Sequence, residues 1–161
     1  MLKYLMREKI KHYLKEFILF IIFITVVTNV VSLYKSRNLT QQPLTIKYKS
    51  IYPKKPILLH FWATWCPVCK VEAANIQRLS KYYNVITIAV KSNENEIKRY
   101  MKKNNLDFKV INDKDALLAQ QFNIAVYPTT FIYDKNKKLI FSEVGYTSTF
   151  GMWIRLLWAK F

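Results

Sequence analysis

From Ile57 onward, apolar runs of strand length take turns with stretches of helical pattern, and this alternation restricts the fold more than any other feature of the chain. Strand patterns read at 57–62 (ILLHFW), 84–90 (NVITIAV), 108–111 (FKVI), 129–133 (TTFIY) and 138–144 (KLIFSEV). Helices are expected after Cys66, from about Glu94 to Asn104, from about Lys114 to Phe122, and from Thr147 or Ser148 to about Lys160. Such an order predicts an α/β sheet covered on both faces. Ser92 or Asn93 should cap the helix whose first turn holds Glu94 and Glu96. Asp113 should cap the next, its carboxylate accepting from backbone N–H groups that have no helical partner. In the last helix, Phe150, Trp153, Ile154, Leu157 and Trp158 share one broad face, expected to pack on the sheet.

The chain has only two cysteines, and they sit three apart in Trp65-Cys66-Pro67-Val68-Cys69, where a strand gives way to a helix. Residues at that spacing face the same way on a helix, so their sulfurs can close a small disulfide ring. Cys66, at the N-terminal end, meets unpaired N–H groups and the positive end of the helix dipole, which favour thiolate over thiol. Cys66 is therefore the expected attacking sulfur. Pro67 suits the first helical position, where its missing N–H costs nothing. Cys69, one turn deeper, should be shielded and should resolve the mixed disulfide. A structural zinc site would need further ligands, and the chain offers only His12 and His60. No metal or other cofactor is expected. A Cu(I) ion, which accepts fewer soft ligands, is the rival use of the pair and would make the chain a copper-handling binding protein.

Ahead of this region, Phe17 to Tyr34 runs for 18 residues without a charge at neutral pH. As a helix it would span roughly 27 Å, near the roughly 30 Å of a bilayer core. A buried core helix of this kind would need neighbours on every side, which a small domain seldom supplies. The expected organisation is a basic cytoplasmic N-terminus (1–16), a transmembrane anchor (17–34), a polar lead-in (35–56) with Pro43, Pro53 and Pro56, and the α/β domain (57–161). Alternation at Leu44, Ile46 and Tyr48 permits one short edge strand in the lead-in. A basic start before an apolar run also describes a secretory signal, but Val30-Val31-Ser32 is a marginal cleavage site and the run exceeds a typical signal core. An uncleaved anchor is expected. Lys3, Arg7, Lys9, Lys11 and Lys15 before the run, against Lys35, Arg37, Lys47 and Lys49 after it, slightly favour a cytoplasmic N-terminus.

Twenty-six Lys and Arg against 10 Asp and Glu give a formal charge of +16. Nucleic acid is not an expected partner, because no basic recognition helix or base-stacking motif accompanies the charge. An anionic membrane surface or acidic substrates fit it better.

Phe61-Trp62-Ala63-Thr64-Trp65-Cys66-Pro67-Val68-Cys69 resembles the FWAxWCxxC segment of the thioredoxin superfamily. It is most similar to that of membrane-anchored, TlpA-like thiol:disulfide oxidoreductases, including those associated with suppression of copper sensitivity. Tyr127-Pro128-Thr129-Thr130-Phe131 resembles the family's cis-Pro segment, and Gly145 falls where the family has a glycine after the last strand. The likeness runs from about Ile57 to Trp158. It implies a thioredoxin fold, a central mixed sheet with helices on both faces, with Cys66 as nucleophile, Cys69 as resolving thiol and a cis Pro128 beside them. It further implies that the Tyr127 backbone pairs with an extended substrate segment. The partners implied are disulfide-containing or thiol proteins and a transmembrane electron donor. The domain would face the periplasm or cell exterior from the bacterial inner membrane.

His60 departs from the pattern, standing six positions before Cys66 where thioredoxin has a buried Asp. Two readings are open for it: a proton acceptor for Cys69, or a hydrogen-bonded core histidine. Trp65 either shields the disulfide or touches substrate. Lys70, beside Cys69, either supports the thiolate or is a solvated surface lysine. Pro-Val places no polar side chain between the sulfurs, which leans the reading toward reductase or isomerase-type exchange.

Overall fold

The computed structural model describes residues 2–36, 39, 44, 46 and 54–161, with side chains in the first segment described for 9–27, 30, 31 and 34. The chain divides into two compact units, Met1–Lys35 and Ser36–Phe161. The first is one long helix, α1 (Leu2–Ser36), which carries the apolar run. Phe17, Phe20, Phe23 and Val30 are exposed along it. Thr25 donates its hydroxyl to the Ile21 carbonyl at 2.8 Å, so this polar group is satisfied within the helix. Among the described residues no helix is long and apolar enough to cross a membrane; residues 28, 29, 32 and 33 of the 17–34 run have side chains outside that description.

The second unit is built on a five-stranded sheet in the order β3-β2-β1-β4-β5. Its strands are β1 (Ile57–Trp62), β2 (Asn84–Val90), β3 (Val110–Asp113), β4 (Thr129–Tyr133) and β5 (Leu139–Val144). The β1–β2 and β2–β3 pairs are parallel, whereas β1–β4 and β4–β5 are antiparallel. The sheet is thus mixed, as the thioredoxin likeness implies. The helices are α2 (Pro67–Ser80), α3 (Glu94–Lys103), α4 (Leu117–Gln121) and α5 (Thr149–Trp158).

Side-chain alternation along β1 divides the core in two. Leu58 and Trp62 join Ile76 and Leu79 of α2, Ile97 of α3, and Met152 and Leu156 of α5 on one face. Ile57, Leu59 and Phe61 join Ala119 and Phe122 around α4 on the other. Leu39 and Leu44 are buried in this second cluster, and the Leu44 N–H donates to the Lys137 carbonyl. Apart from Leu44 and Ile46, the edge strand expected in the lead-in lies outside the described residues.

Several local expectations need revision. Strand β3 begins two residues later than the apolar run FKVI, because Phe108 is drawn into the core edge-to-face against Trp62 and pairing then continues through Asn112 and Asp113. Helix α4 is shorter than expected. Its N-cap is Ala116, in a left-handed conformation (φ 58°), while the Asp113 carboxylate reaches over to accept from the Leu118 and Ala119 N–H groups. Helix α3 starts at Asn93 with a reciprocal capping box to Glu96, and Ser92 is instead buried in the adjoining turn.

Helix α5 turns a different face to the sheet from the one expected. Met152, Leu156 and Ala159 are buried, whereas Phe150, Trp153, Ile154 and Trp158 point outward, Trp158 being 71% exposed. The helix TFGMWIRLLW is apolar nearly all round, so its pattern did not single out a face. The narrower stripe of Met, Leu and Ala fits closer against the sheet.

Asp113→Ala removes both acceptors that start α4. The expected loss is about 1–2 kcal/mol of stability, to be read as a lower urea midpoint at unchanged slope.

Candidate active site

Strand β1 sits at the centre of the sheet, between β2 and β4, and ends at the turn Ala63-Thr64-Trp65 that delivers Cys66 to the start of α2. The turn is fixed by short polar contacts. The Thr64 N–H donates to Ser92 Oγ at 3.2 Å, Ser92 Oγ donates to the Val90 carbonyl, and the Cys66 N–H donates to the Ala63 carbonyl. Cys66 is the N-cap residue, in an extended conformation, with Pro67 at the first helical position. Its Sγ accepts from the Cys69 N–H at 3.2 Å. The two cysteines form a disulfide with their Cα atoms 5.3 Å apart. Cys66 is 4% and Cys69 1% exposed, so only a sliver of sulfur meets solvent.

The start of β4 comes up against this turn from the other side. The Tyr127–Pro128 bond is cis, and the Tyr127 carbonyl oxygen lies 3.7 Å from Cys66 Sγ. Trp65, 55% exposed, meets the Tyr127 ring edge-to-face and donates its indole N–H to the Lys91 carbonyl at 3.3 Å. The Gly145 N–H donates to the Pro128 carbonyl at 2.8 Å from a left-handed backbone (φ 95°), where any other residue would be strained. Cys66, Trp65, Tyr127 and Pro128 are therefore one locality, at the end of the sheet where β1 finishes and the antiparallel β4 begins.

Between β1 and α2 lies a buried polar pair. His60, on β1, places Nδ1 2.9 Å from Oγ1 of Thr130, its cross-strand neighbour on β4. Its Nε2 faces Oε2 of Glu72 on α2 at 4.0 Å, with the side chains 2% and 0% exposed. Oε1 of Glu72 accepts from the Thr147 N–H at 2.8 Å, while Oε2 has no hydrogen-bond partner. Burial pushes the Glu72 carboxyl up to about 8, the Thr147 bond opposing this only in part. Burial likewise lowers His60 to about 3. Both groups are then neutral at pH 7, and their approach is that of two dipoles rather than an ion pair.

Cys69 lies one turn into α2 under Cys66. His60 lies under the same helix, but among the described residues it makes no hydrogen bond to either sulfur; the titratable group it faces is Glu72. Trp62 is a core residue whose indole donates to Thr87 Oγ1. The Lys70 side chain is exposed beside the turn. Among the described residues no group of three or more His, Cys, Asp and Glu is placed to hold a metal ion. Glu72 was missed at the sequence level. The signal lay in the spacing: Cys69, Glu72, Ala73, Ile76 and Leu79 make one buried stripe of α2, and Glu72 is the charged residue within it.

The model of the AhpC/TSA family matches residues 34–142. A thioredoxin-like protein of Haemophilus influenzae is 34% identical over 166 residues, covering 95% of this chain and 98% of that one. The thiol-disulfide oxidoreductase ResA of Bacillus cereus is 32% identical over 96 residues, which span 56% of each chain. Among solved structures, StoA from Bacillus subtilis superposes with a TM-score of 0.58 at 21% identity, over 72% of this chain and 98% of that one. At that identity the likeness is one of fold.

The buried pair has a signature in stability. His60 withholds in the folded state a proton that the unfolded chain binds, so its contribution is lost as pH falls from 6.5 toward 3. Glu72 does the reverse, keeping a proton that the unfolded chain releases, so its contribution is lost as pH rises from 4.5 toward 8. The two cancel between 4.5 and 6.5, leaving a plateau with a decline on either side. Glu72→Gln is expected to abolish the decline above pH 6.5, worth at most about 1.4 kcal/mol per pH unit, and to let the acid-side decline begin at 6.5. Urea midpoints of the oxidised protein from pH 4 to 9 measure this.

Proposed function

Since this chain belongs to the AhpC/TSA family, we propose that its Cys66–Cys69 pair exchanges disulfides with protein substrates outside the cytoplasm, chiefly in the reducing direction. The observation that carries the reading is the position of Cys66. It caps α2, its sulfur accepts the Cys69 N–H, and it stands against the Tyr127 carbonyl beside Pro128.

In the reducing direction the Cys66 thiolate attacks one sulfur of a client disulfide. A mixed disulfide forms and the other client sulfur leaves as thiolate. Cys69 then gives up its proton and attacks Cys66 Sγ, closing the ring and releasing the second client sulfur; two electrons pass to the client. During the second step Cys66 Sγ is the electrophile and the Cys69 N–H remains its donor. Glu72 is on the same face of α2 as Cys69, one turn on, and is protonated in the oxidised protein at neutral pH. Already protonated, it has no place for the Cys69 proton, which ends on the departing client sulfur. His60, neutral behind it, keeps the site uncharged when the carboxyl is protonated. The backbone at Tyr127, half-buried beside Cys66, would offer an edge for an extended client segment.

The uncharged apolar run from 17 to 34, carried on α1, supports an uncleaved single-pass anchor in the bacterial inner membrane. An anchor of this kind would hold the thiol-exchange domain on the periplasmic side, where disulfides form. A transmembrane electron donor would return the pair to the dithiol after each turnover.

Cys66→Ser should reduce insulin turnover to the uncatalysed rate, whereas Cys69→Ser should accumulate client adducts on Cys66, visible on non-reducing gels and lost with thiol. Adducts persisting in the Cys66→Ser variant would move the nucleophile elsewhere. Retention of stoichiometric copper without exchange would overturn the enzyme reading. In spheroplasts the domain should be digested by added protease; protection would reverse the topology.

A further inference from the structure

Beside the Cys66 turn a groove of about 470 Å³ opens between α2, the loop after β2, and α3. Its aromatic walls are Trp65 and Tyr100. Three cations converge on it from three different elements: Lys70 from α2, Lys91 from the loop, and Arg99 from α3. Its one carboxylate, Glu96, is engaged at the start of α3, where Oε2 accepts from the Asn93 N–H at 3.1 Å.

Among the described residues none of the three cations has a carboxylate within ion-pair distance. Elsewhere the same surface pairs its charges. On α3 itself Lys98, adjacent to Arg99, is bonded to Glu94 at 2.6 Å, and on α5 Arg155 is bonded to Glu143 at 2.7 Å. The groove is tied to the reacting sulfur. Lys91 has a left-handed backbone (φ 47°), its N–H donates to the Asp113 carbonyl and its own carbonyl accepts the Trp65 indole. The root of this lysine is thereby fixed to the residue before Cys66.

Like charges gathered at a concave wall repel one another, and an occupant of opposite sign relieves that repulsion. Trp65, the neighbour of Cys66 in the chain, is 55% exposed and forms one wall of the groove, so the groove is within reach of a client segment joined to Cys66. We propose that this groove selects clients with Asp or Glu close to the reactive cysteine, holding the acidic stretch between Lys70, Lys91 and Arg99. This rests on the disulfide-exchange reading above and names its substrate class. The aromatic walls would take the apolar stems of the same residues.

The test uses the full chain, reduced, in non-ionic detergent, with three disulfide-bridged peptides identical except for Asp, Asn or Lys flanking the cysteine. At low salt the Asp peptide should show a kcat/KM about 5- to 10-fold above the Asn peptide, carried by KM and shrinking as salt rises. The Lys peptide should fall below both. Lys70→Glu combined with Arg99→Glu should reverse the order, whereas Lys135→Glu with Lys137→Glu, on the exposed β4–β5 turn, should leave it unchanged. Equal rates for the Asp and Asn peptides would overturn the groove while leaving disulfide exchange standing. An Asp preference that survives the first double variant, or is lost equally in the second, would assign it to net charge and also overturn the proposal. Failure to reduce any of the three peptides would overturn the exchange reading, and the groove's role with it.

Discussion

The bond from the Cys69 N–H to Cys66 Sγ organises the site. It is at once a helix cap and a stabiliser of negative charge on sulfur, and the two roles require the same geometry. An N-cap side chain must accept from a donor two or three residues on, and a thiolate is the better acceptor. The sequence between the sulfurs keeps this bond free of competition. Pro67 has no N–H to offer, and Val68 has no polar side chain. The backbone of α2 alone supplies the donors. That in turn demands that α2 begin at a fixed place, which the central position of β1 and the Thr64–Ser92 contacts secure.

The chemistry of thiol exchange needs a sulfur within reach of a client, and the fold sets a buried carboxyl nearly two turns of α2 behind it. Cys66 is at the surface end of α2, whereas Glu72 is sealed beneath, against His60. Burying an ionised carboxylate costs several kcal/mol, so the low-dielectric setting selects the neutral forms of both partners. A neutral imidazole has one N–H. Placed on Nδ1 and given to Thr130, it leaves the Nε2 lone pair facing the Glu72 carboxyl. The position that carries a carboxylate in thioredoxin itself thus holds a base here, and the carboxyl has come instead from α2.

How much of this was legible in the sequence follows from what each element buries. Strands β1, β2 and β4 are covered on both faces, so continuous apolar runs gave their bounds to the residue. At the sheet edge, β3 runs on through Asn112 and Asp113, and apolar runs cannot register a strand that is paired on one side only. Helix α5 was legible as a helix, but being apolar all round it hid which stripe faces inward. The cysteines were legible because their placement is local: a strand, a turn, a helix start. Glu72 was not, since a lone Glu in a helix is ordinarily a solvated residue. Its partners are distant in the chain: the Thr147 N–H, which bonds Oε1, and His60 on a strand twelve residues earlier, which faces Oε2. Asp113 was legible as an acceptor but not as one acting across an intervening left-handed Ala116.

The same separation bears on how an enzyme of this kind chooses clients. Sulfur exchange itself is indifferent to sequence: the thiolate attacks any disulfide it can reach, and a backbone edge at Tyr127 pairs with any extended chain. Selectivity must therefore come from side chains around the reacting sulfur that differ between one domain of this fold and another. Beside Pro67 and Val68 these are Val71 and Tyr146, apolar or aromatic. The cations Lys70, Lys91 and Arg99 line the groove that Trp65 walls, and among the described residues none of them is within ion-pair distance of a carboxylate. A high net positive charge raises encounter with any anion, but a diffuse charge cannot set the register of a peptide on a sulfur. Cations fixed beside the nucleophile can.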